Sequence, residues 1–207
     1  MRQFILLIVL FFSVVVSAQD PEHPEVYIGP NFGVTGSMVM FKPSVSQTYL
    51  QGYNGGVVFR FISDKNVGFQ AELNYSQRGW NESGNLYTRQ LNYIELPFMT
   101  HLYFGNKSRF FFNLGPKISY LISENVLVDN TINSTETQHI TKIQNPLDYG
   151  LCAGIGFLFR TGSLVYQFDT RANYSLSDIF SNDKRDYFDT SNNLNISVNF
   201  ALLFQIK

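Results

Sequence analysis

Apolar and polar side chains alternate with a period of two along most of the chain after residue 25. The clearest example is the stretch 193–206, in which every second residue is apolar and most of those between are polar. Its apolar face carries Leu194, Ile196, Val198, Phe200, Leu202, Phe204 and Ile206. A helix would mix the two sets of side chains, whereas a strand separates them onto opposite faces. The pattern therefore predicts β-strands.

Eight segments with this alternation are predicted to be strands. They cover 26–35, 52–62, 66–77, 91–104, 109–122, 147–160, 163–176 and 193–206. Each is long enough to cross the hydrocarbon core of a bilayer as a tilted strand, which takes about 9–11 residues. Strands of soluble sandwiches more often have about 5–6 residues. Pro30, Pro97 and Pro116 lie inside three of the segments, so the hydrogen-bonded ladders are expected to bulge or open there.

The connections between the predicted strands alternate in length. Three are short, at 63–65, 105–108 and 161–162, and four are long and polar, at 36–51, 78–90, 123–146 and 177–192. Outer-membrane barrels have short periplasmic turns and longer outer loops. Because the first connection is long, both ends of the barrel domain are expected in the periplasm.

The size of the side chains on each face indicates which face points outward. One face of the predicted strands carries Phe, Leu, Ile, Val or Tyr, and the other is rich in small and amide residues. The second set includes Gly29, Asn31, Gly33, Asn54, Gly56, Asn113, Gly115, Gly150, Gly154 and Gly156. An eight-stranded barrel has an interior just wide enough for side chains, which suits this set. The sequence therefore predicts an all-β protein, an eight-stranded antiparallel up-and-down transmembrane β-barrel with its apolar face in lipid.

Aromatic side chains cluster near the ends of the predicted strands, where they are expected to form two girdles at the membrane interfaces. They are Tyr75, Trp80, Tyr93, Tyr103, Phe104, Tyr120, Tyr149, Phe159 and Tyr174. A soluble eight-stranded barrel of the lipocalin type, which turns its apolar face inward and holds a small ligand, stays open as the alternative fold.

The N-terminus has the features of a secretory signal peptide. Arg2 precedes the apolar run 4–16, and Val16-Ser17-Ala18 offers small residues for cleavage. The run is too short to span a bilayer as a helix. We expect a cleaved signal peptide at 1–18, a short periplasmic lead-in at 19–25 and the barrel domain at 26–207. No cysteine follows the cleavage site directly, so no lipid anchor is expected.

Composition narrows the chemistry. The net charge of −1 and the lack of a basic run give no reason to expect nucleic acid as a partner. The single cysteine, Cys152, excludes an internal disulfide, and the three histidines show no metal-ligand spacing. No cofactor or metal is therefore expected, and the pattern implies outer-membrane lipid as the surroundings of the chain.

Charged residues are also predicted to face the interior of the barrel. They are Arg60, Glu72, Glu95, Lys117, Asp148, Arg160, Asp169 and Arg171. A lone charge in so narrow a barrel would be very costly, so these charges are expected to pair. We expect a structural polar network that fills the lumen and consists of Glu72, Glu95, Lys117, Asp169 and Arg171. The functional alternative is a charge-lined path for small ions, or a carboxylate pair for acid–base chemistry.

Candidate catalytic groups are few. His139 and Asp129 share a long polar loop with several serines, but no nucleophile-elbow motif accompanies them. Gly154 and Gly156 open no predicted helix, so they are not a nucleotide-binding fingerprint. We therefore expect a non-enzymatic protein with a structural or interaction role. An outer-membrane enzyme that acts on lipid or peptide at the barrel rim is the alternative.

Several short motifs follow one another along the chain: QAELNYSQRG at 70–79, LNYIELP at 91–97, Gly115-Pro116, Asp148-Tyr149-Gly150 and Gly154-Ile155-Gly156. Their order and spacing resemble the PorT-type outer-membrane β-barrel family. The likeness spans nearly the whole mature chain, although His101 stands where that family usually has Lys or Arg. The resemblance implies an outer-membrane location. It also implies partners among envelope or secretion-system proteins, since one founding member is linked to type IX secretion and gliding machinery.

Overall fold

A computed structural model describes residues 24–82, 87–128, 136–182 and 187–206. The predicted signal peptide and most of the predicted lead-in lie outside the described residues. The strands are β1 Glu25–Lys42, β2 Gln47–Thr48, β3 Leu50–Asp64, β4 Val67–Glu82, β5 Tyr87–Gly105, β6 Ser108–Val128, β7 Leu147–Thr161, β8 Leu164–Asp178 and β9 Thr190–Gln205. A short helix, α1, covers Thr137–Ile140. Within these residues, no helix is long and apolar enough to cross a membrane.

All strands except β2 close into one barrel. The order around the ring is β4, β3, β1, β9, β8, β7, β6 and β5, and pairing of β4 with β5 completes it. Every neighbouring pair is antiparallel. The two-residue β2 lies outside the ring and pairs with the end of β4, where Gln47 is opposite Glu82. The predicted eight-stranded antiparallel up-and-down barrel is confirmed.

The three short turns lie together at one end of the barrel and the long connections at the other. Asn66, Gly105 and Gly162 have positive φ angles of 74°, 110° and 62° at these turns. Glycine and asparagine adopt such angles most readily, which explains why tight turns form at these points of the sequence. In an outer-membrane barrel, the end with the short turns faces the periplasm.

At the end with the long connections, the strands run further than predicted. β1 ends at Lys42, β4 at Glu82 and β6 at Val128, whereas the sequence pattern placed loops from residues 36, 78 and 123. The prediction was wrong because glycine and polar residues on the outward face were taken as the end of each strand. Inward side chains continue beyond that level and pack against one another, which keeps the extended strands paired.

The two faces of the strands point as predicted. Large apolar side chains are exposed on the outside, such as Phe32 at 66%, Val57 at 48% and Phe168 at 58%. Asn31 and Asn199, which alternate with such residues, are buried in the interior. An apolar band of this size around the circumference fits lipid and not water. The arrangement rules out the lipocalin-like alternative, in which the apolar face would turn inward.

The predicted aromatic girdles need a correction. Of the residues predicted to form them, those exposed on the outside are Tyr75, Phe104, Tyr120, Tyr149, Phe159 and Tyr174. Trp80, Tyr93 and Tyr103 were expected with them, but they face the interior and are at most 7% exposed. Their position follows from the period of two, because Tyr93 and Tyr103 continue the inward series of β5 that includes Glu95. The interior is therefore bulkier at its two ends than the sequence suggested.

The three prolines inside strands sit at open positions of the ladders. Pairing lapses beside Pro97 between β4 and β5, beside Pro116 between β5 and β6, and beside Pro30 between β1 and β9. The register is the same on both sides of each gap. The missing N–H of each proline therefore opens the ladder locally, which was one of the two expected solutions, and no bulge is needed there.

Candidate functional site

The first of two charged clusters in the interior is centred on Glu72 of β4. Arg171 of β8 donates to both carboxylate oxygens of Glu72, with Nη1–Oε2 at 2.7 Å and Nη2–Oε1 at 3.0 Å. Nη2 of Arg171 also lies 3.4 Å from Oδ1 of Asp169. The amides of Asn31 and Asn74 donate to Oε2 of Glu72 at 3.2 and 2.7 Å. This carboxylate is thus surrounded by donors, as a buried charge requires.

The second charged cluster lies nearer the long loops and is centred on Arg78 of β4. Its Nη1 donates to Oδ2 of Asp148 in β7 at 2.8 Å, and its Nη2 donates to Glu95 of β5. Nζ of Lys117 in β6 lies 4.0 Å from Glu95 and 3.9 Å from Asp148. All four side chains are nearly or fully buried. Two cations face two anions, so the cluster is neutral as a whole.

The five residues predicted to form one network are divided between these clusters. The structure brings Glu72, Asp169 and Arg171 together in the first, and places Lys117 close to Glu95 in the second. Sequence reasoning missed Arg78, because it fell in a segment assigned to a loop. The signal that could have found it is the inward series of β4, which runs from Glu72 in steps of two to residue 78.

The other inward charges predicted from the sequence have separate roles. Asp148 belongs to the Arg78 cluster, while Arg60 reaches the Glu72 cluster through glutamines. Nε of Arg60 donates to Oε1 of Gln70 at 2.9 Å, and its Nη2 donates to Gln167. Gln167 donates in turn to Asp169 at 2.8 Å. The polar layer therefore extends from mid-barrel toward the periplasmic end through neutral side chains.

An upper aromatic cluster fills the barrel at the loop end. It consists of Val39, Phe41, Trp80, Tyr87, Leu91, Tyr93, Ile179, Phe180 and Phe188. Arg89 lies over it, with Cζ 5.6 Å from the Trp80 ring and 5.8 Å from the Phe180 ring, a cation–π arrangement. Arg89 also donates to Glu124 at 2.8 Å and to the carbonyls of Gln138 and Thr141 at 3.1 and 2.8 Å. These bonds hold the loop that contains α1 across the mouth of the barrel.

A lower apolar cluster fills the periplasmic end. It consists of Tyr27, Val58, Ile62, Tyr103, Phe111, Leu158, Val165, Ala201 and Leu203. Below it, Glu25 at the start of β1 accepts hydrogen bonds from Nη1 of Arg109 and Nη1 of Arg160, each at 2.9 Å. These ion pairs join β1 to β6 and β7 across the opening. The lumen is therefore filled at both ends and in the middle.

The candidate catalytic and metal-binding groups lie apart from one another. Nε2 of His139 is 2.9 Å from Oε1 of Glu82, and its ring stacks on Tyr87 with centroids 3.7 Å apart. Asp129 lies outside the described residues. Cys152 is buried and its sulfur is 3.5 Å from that of Met99. In the part of the chain that the structure describes, no group of three or more His, Cys, Asp or Glu side chains is placed to hold a metal ion.

Solved structures of other outer-membrane proteins share this fold. OprG from Pseudomonas aeruginosa is similar with a TM-score of 0.55 and 10% identity, over 92% of this chain and 99% of OprG. Outer Membrane Protein W of E. coli is similar with a TM-score of 0.50 and 12% identity, over 89% of this chain and 99% of that protein. At such identities the likeness concerns the fold alone. A comparison with curated proteins gives no match.

The family comparison is more specific. Residues 17–181 match the family described as "Outer membrane protein beta-barrel domain". The match covers most of the chain, including every strand from β1 to β8. This chain is therefore an integral outer-membrane protein that belongs to the outer membrane protein beta-barrel domain family.

Proposed function

We propose that this chain is a non-enzymatic interaction protein, a sealed barrel that takes part in an envelope or secretion assembly of the PorT type. The observation behind the proposal is the filling of the interior at three levels. Aromatic, charged and apolar side chains follow one another from the loop end to the turn end. A filled lumen leaves the outer loops, the short turns and the lipid-facing surface as places where another molecule can bind.

The filled interior also argues against the alternative function, a path for small ions through the barrel. An ion that crosses the barrel would have to separate the Arg171–Glu72 pair and the Arg78–Asp148 pair. Breaking a buried ion pair costs about 3–5 kcal/mol, and the two pairs lie between the two largely apolar clusters. An eight-stranded barrel has no aqueous channel that would bypass these groups.

A catalytic role has less support than an interaction role. The side chain of His139 is 4% exposed: its Nε2 contacts Glu82, its ring stacks on Tyr87, and its Nδ1 is buried out of reach of solvent. A general base needs a free lone pair within reach of a substrate. The exposed apolar residues of the outer loops, such as Ile140 at 68% and Tyr187 at 58%, instead suit contact with a protein.

Crosslinking in intact cells, followed by purification of the tagged barrel, tests the proposal. We expect a defined complex with envelope proteins. Ile140→Ser is expected to reduce its yield by about five-fold or more, since a few large side chains carry most of the energy of an interface and Ile140 is 68% exposed in this loop. Lys142→Ser is the control, because Lys142 is exposed in the same loop. A barrel that remains alone after crosslinking, or that conducts ions steadily in planar bilayers, would overturn the proposal.

A further inference from the structure

At the loop end of the barrel, β6 continues beyond its neighbour β7. β6 pairs with β5 up to Val128, which lies opposite Tyr87. Its pairing with β7 ends at Tyr120, opposite Leu147. In the described part of the chain, the stretch 121–128 therefore has a ladder partner on one side only. We call residues 122–128 the free edge of β6.

The chain that leads into β7 turns away from this free edge. The N–H of Leu121 donates to the carbonyl of Pro146 at 2.8 Å. The N–H groups of Gln144 and Asn145 donate instead to the carbonyl of Ile179, at 3.1 and 3.2 Å. These contacts carry the preceding segment toward the end of β8, so it does not run alongside 122–128.

Other extended strands at this end have covered edges. β2 pairs with the end of β4. On β1, the side-chain amide of Gln47 accepts from the N–H of Val39 at 3.1 Å and donates to its carbonyl at 2.5 Å, in place of a neighbouring strand. Proteins generally cover or interrupt long edges, because an open edge pairs readily with another chain. The free edge of β6 therefore differs from its surroundings in a way that favours binding.

The side chains of the free edge suit a strand partner. Residues 122–127 are all exposed, and they include Ile122 at 51%, Val126 at 44% and Leu127 at 68%. Polar residues lie between them at 123–125. When a peptide adds to a sheet edge, main-chain hydrogen bonds provide the affinity and alternate side chains provide the selectivity. The free edge of β6 offers both unpaired main-chain groups and exposed side chains.

We infer that the free edge of β6 binds an extended segment of another protein outside the cell, which adds to the sheet as a further strand. The inference rests on the proposed interaction role and names the class of partner. A second copy of this chain does not fit the edge. Two copies in one membrane point the same way, so their β6 strands cannot run antiparallel, as the self-complementary pairing of two identical edges would require.

The pairing identifies the N–H groups that point to the free edge. Residues of a strand whose side chains share a face direct their N–H and C=O groups to the same side. Leu121 packs against the interior and points its N–H toward β7. β6 then has one extra residue before Ser123, which shifts the register against β5. Glu124 and Val126 are consequently the next residues on the interior face, and they direct their N–H groups to the free edge.

The test uses the purified full-length barrel in detergent micelles and a fluorescent peptide with the sequence of residues 87–93, the segment that β6 binds on its other side. We expect saturable binding by fluorescence anisotropy. Val126→Pro removes an N–H from the free edge and should weaken binding about ten-fold or more, while Val126→Ala should bind like the parent protein. Proline is tolerated where an edge N–H faces solvent, so the variant is expected to fold.

A second peptide, N-methylated at each inner residue, keeps the result independent of the proline variant. It cannot make the ladder bonds and should not bind the parent barrel. Equal binding of the two peptides, or no binding of the unmodified one, would overturn the inference. If an envelope complex is found in cells but no peptide binds the purified barrel, the proposed interaction role is supported and the free edge is not its binding site. Peptide binding without any envelope complex refutes the proposed role and leaves the edge as a binding site.

Discussion

Arg171 and Glu72 lie on opposite walls of the barrel and join them by two hydrogen bonds of 2.7 and 3.0 Å. Three strands separate β8 from β4 in either direction around the ring, so this pair spans the full width of the lumen. A two-pronged contact between a guanidinium and a carboxylate is both strong and geometrically restrictive. The pair therefore fixes the distance between the two walls at mid-height.

Glu72→Ala is expected to destabilise the folded barrel by about 3–5 kcal/mol, because it leaves a buried guanidinium without its main partner. Asp169, 3.4 Å from Arg171, compensates only in part. Urea unfolding in lipid vesicles, followed by the fluorescence of the single tryptophan, Trp80, measures the loss. The double variant Glu72→Leu, Arg171→Met removes both charges and should recover much of it. A double variant as unstable as Glu72→Ala would contradict the assignment.

Glu95→Ala is expected to lower the melting temperature of the barrel. Arg78 and Lys117 then share the single carboxylate of Asp148 within their cluster, which leaves an excess of buried positive charge. The temperature at which the unboiled band changes mobility on SDS gels gives the midpoint. Asp189→Ala is a suitable control, because Asp189 also pairs with a basic residue, Lys42, but the two side chains are 70% and 71% exposed. Equal midpoints for Glu95→Ala and the parent protein would show that the cluster contributes little.

The sequence located the membrane strands because lipid requires an apolar side chain at every outward position. Above the membrane this requirement ends, while the inward positions stay buried. Arg78 and Trp80 were therefore assigned to a loop, since polar residues, Gln77 and Asn81, occupy the outward positions at this level. If the two faces of a strand are considered separately, a strand can be extended for as long as its inward residues stay suited to burial. This criterion would have kept Arg78 and Trp80 in β4.

The division of the interior charges into two clusters could not be predicted from counting along the strands. Counting residues along each strand would put Glu72 and Glu95 at about the same height, but the register pairs Glu95 with Asn74. This offset reflects the stagger between strands that closes a barrel, and sequence alternation carries no information about it. Because of this offset, Glu95 lies closer to the loop end and pairs with Arg78, whereas Glu72 pairs with Arg171.

Gly156→Ala is expected to destabilise the barrel, whereas Gly154→Ala should be tolerated. A Cβ atom at Gly156 would come within 2.2 Å of the carbonyl oxygen of Phe168 and 2.7 Å of the Phe111 ring. At Gly154 the nearest atom would be 3.4 Å away, which is an ordinary contact. Overpacking of this kind typically costs about 1–3 kcal/mol. Urea midpoints of the two variants check the difference, and similar midpoints would show that the wall moves to admit the methyl group.

Gln47→Ala is expected to open the edge of β1 that its side chain now covers. The amide of Gln47 bonds both the N–H and the carbonyl of Val39, so its loss exposes one backbone donor and one acceptor to solvent. Hydrogen exchange at the Val39 amide should accelerate by about ten-fold, the equivalent of one lost hydrogen bond. Gln47→Glu keeps the acceptor and loses the donor, so it should accelerate exchange less. Gln51→Ala, an exposed glutamine of β3, serves as the control. Protection of Val39 that survives Gln47→Ala would mean that the edge is covered by another group, and the contrast with the free edge of β6 would then be lost.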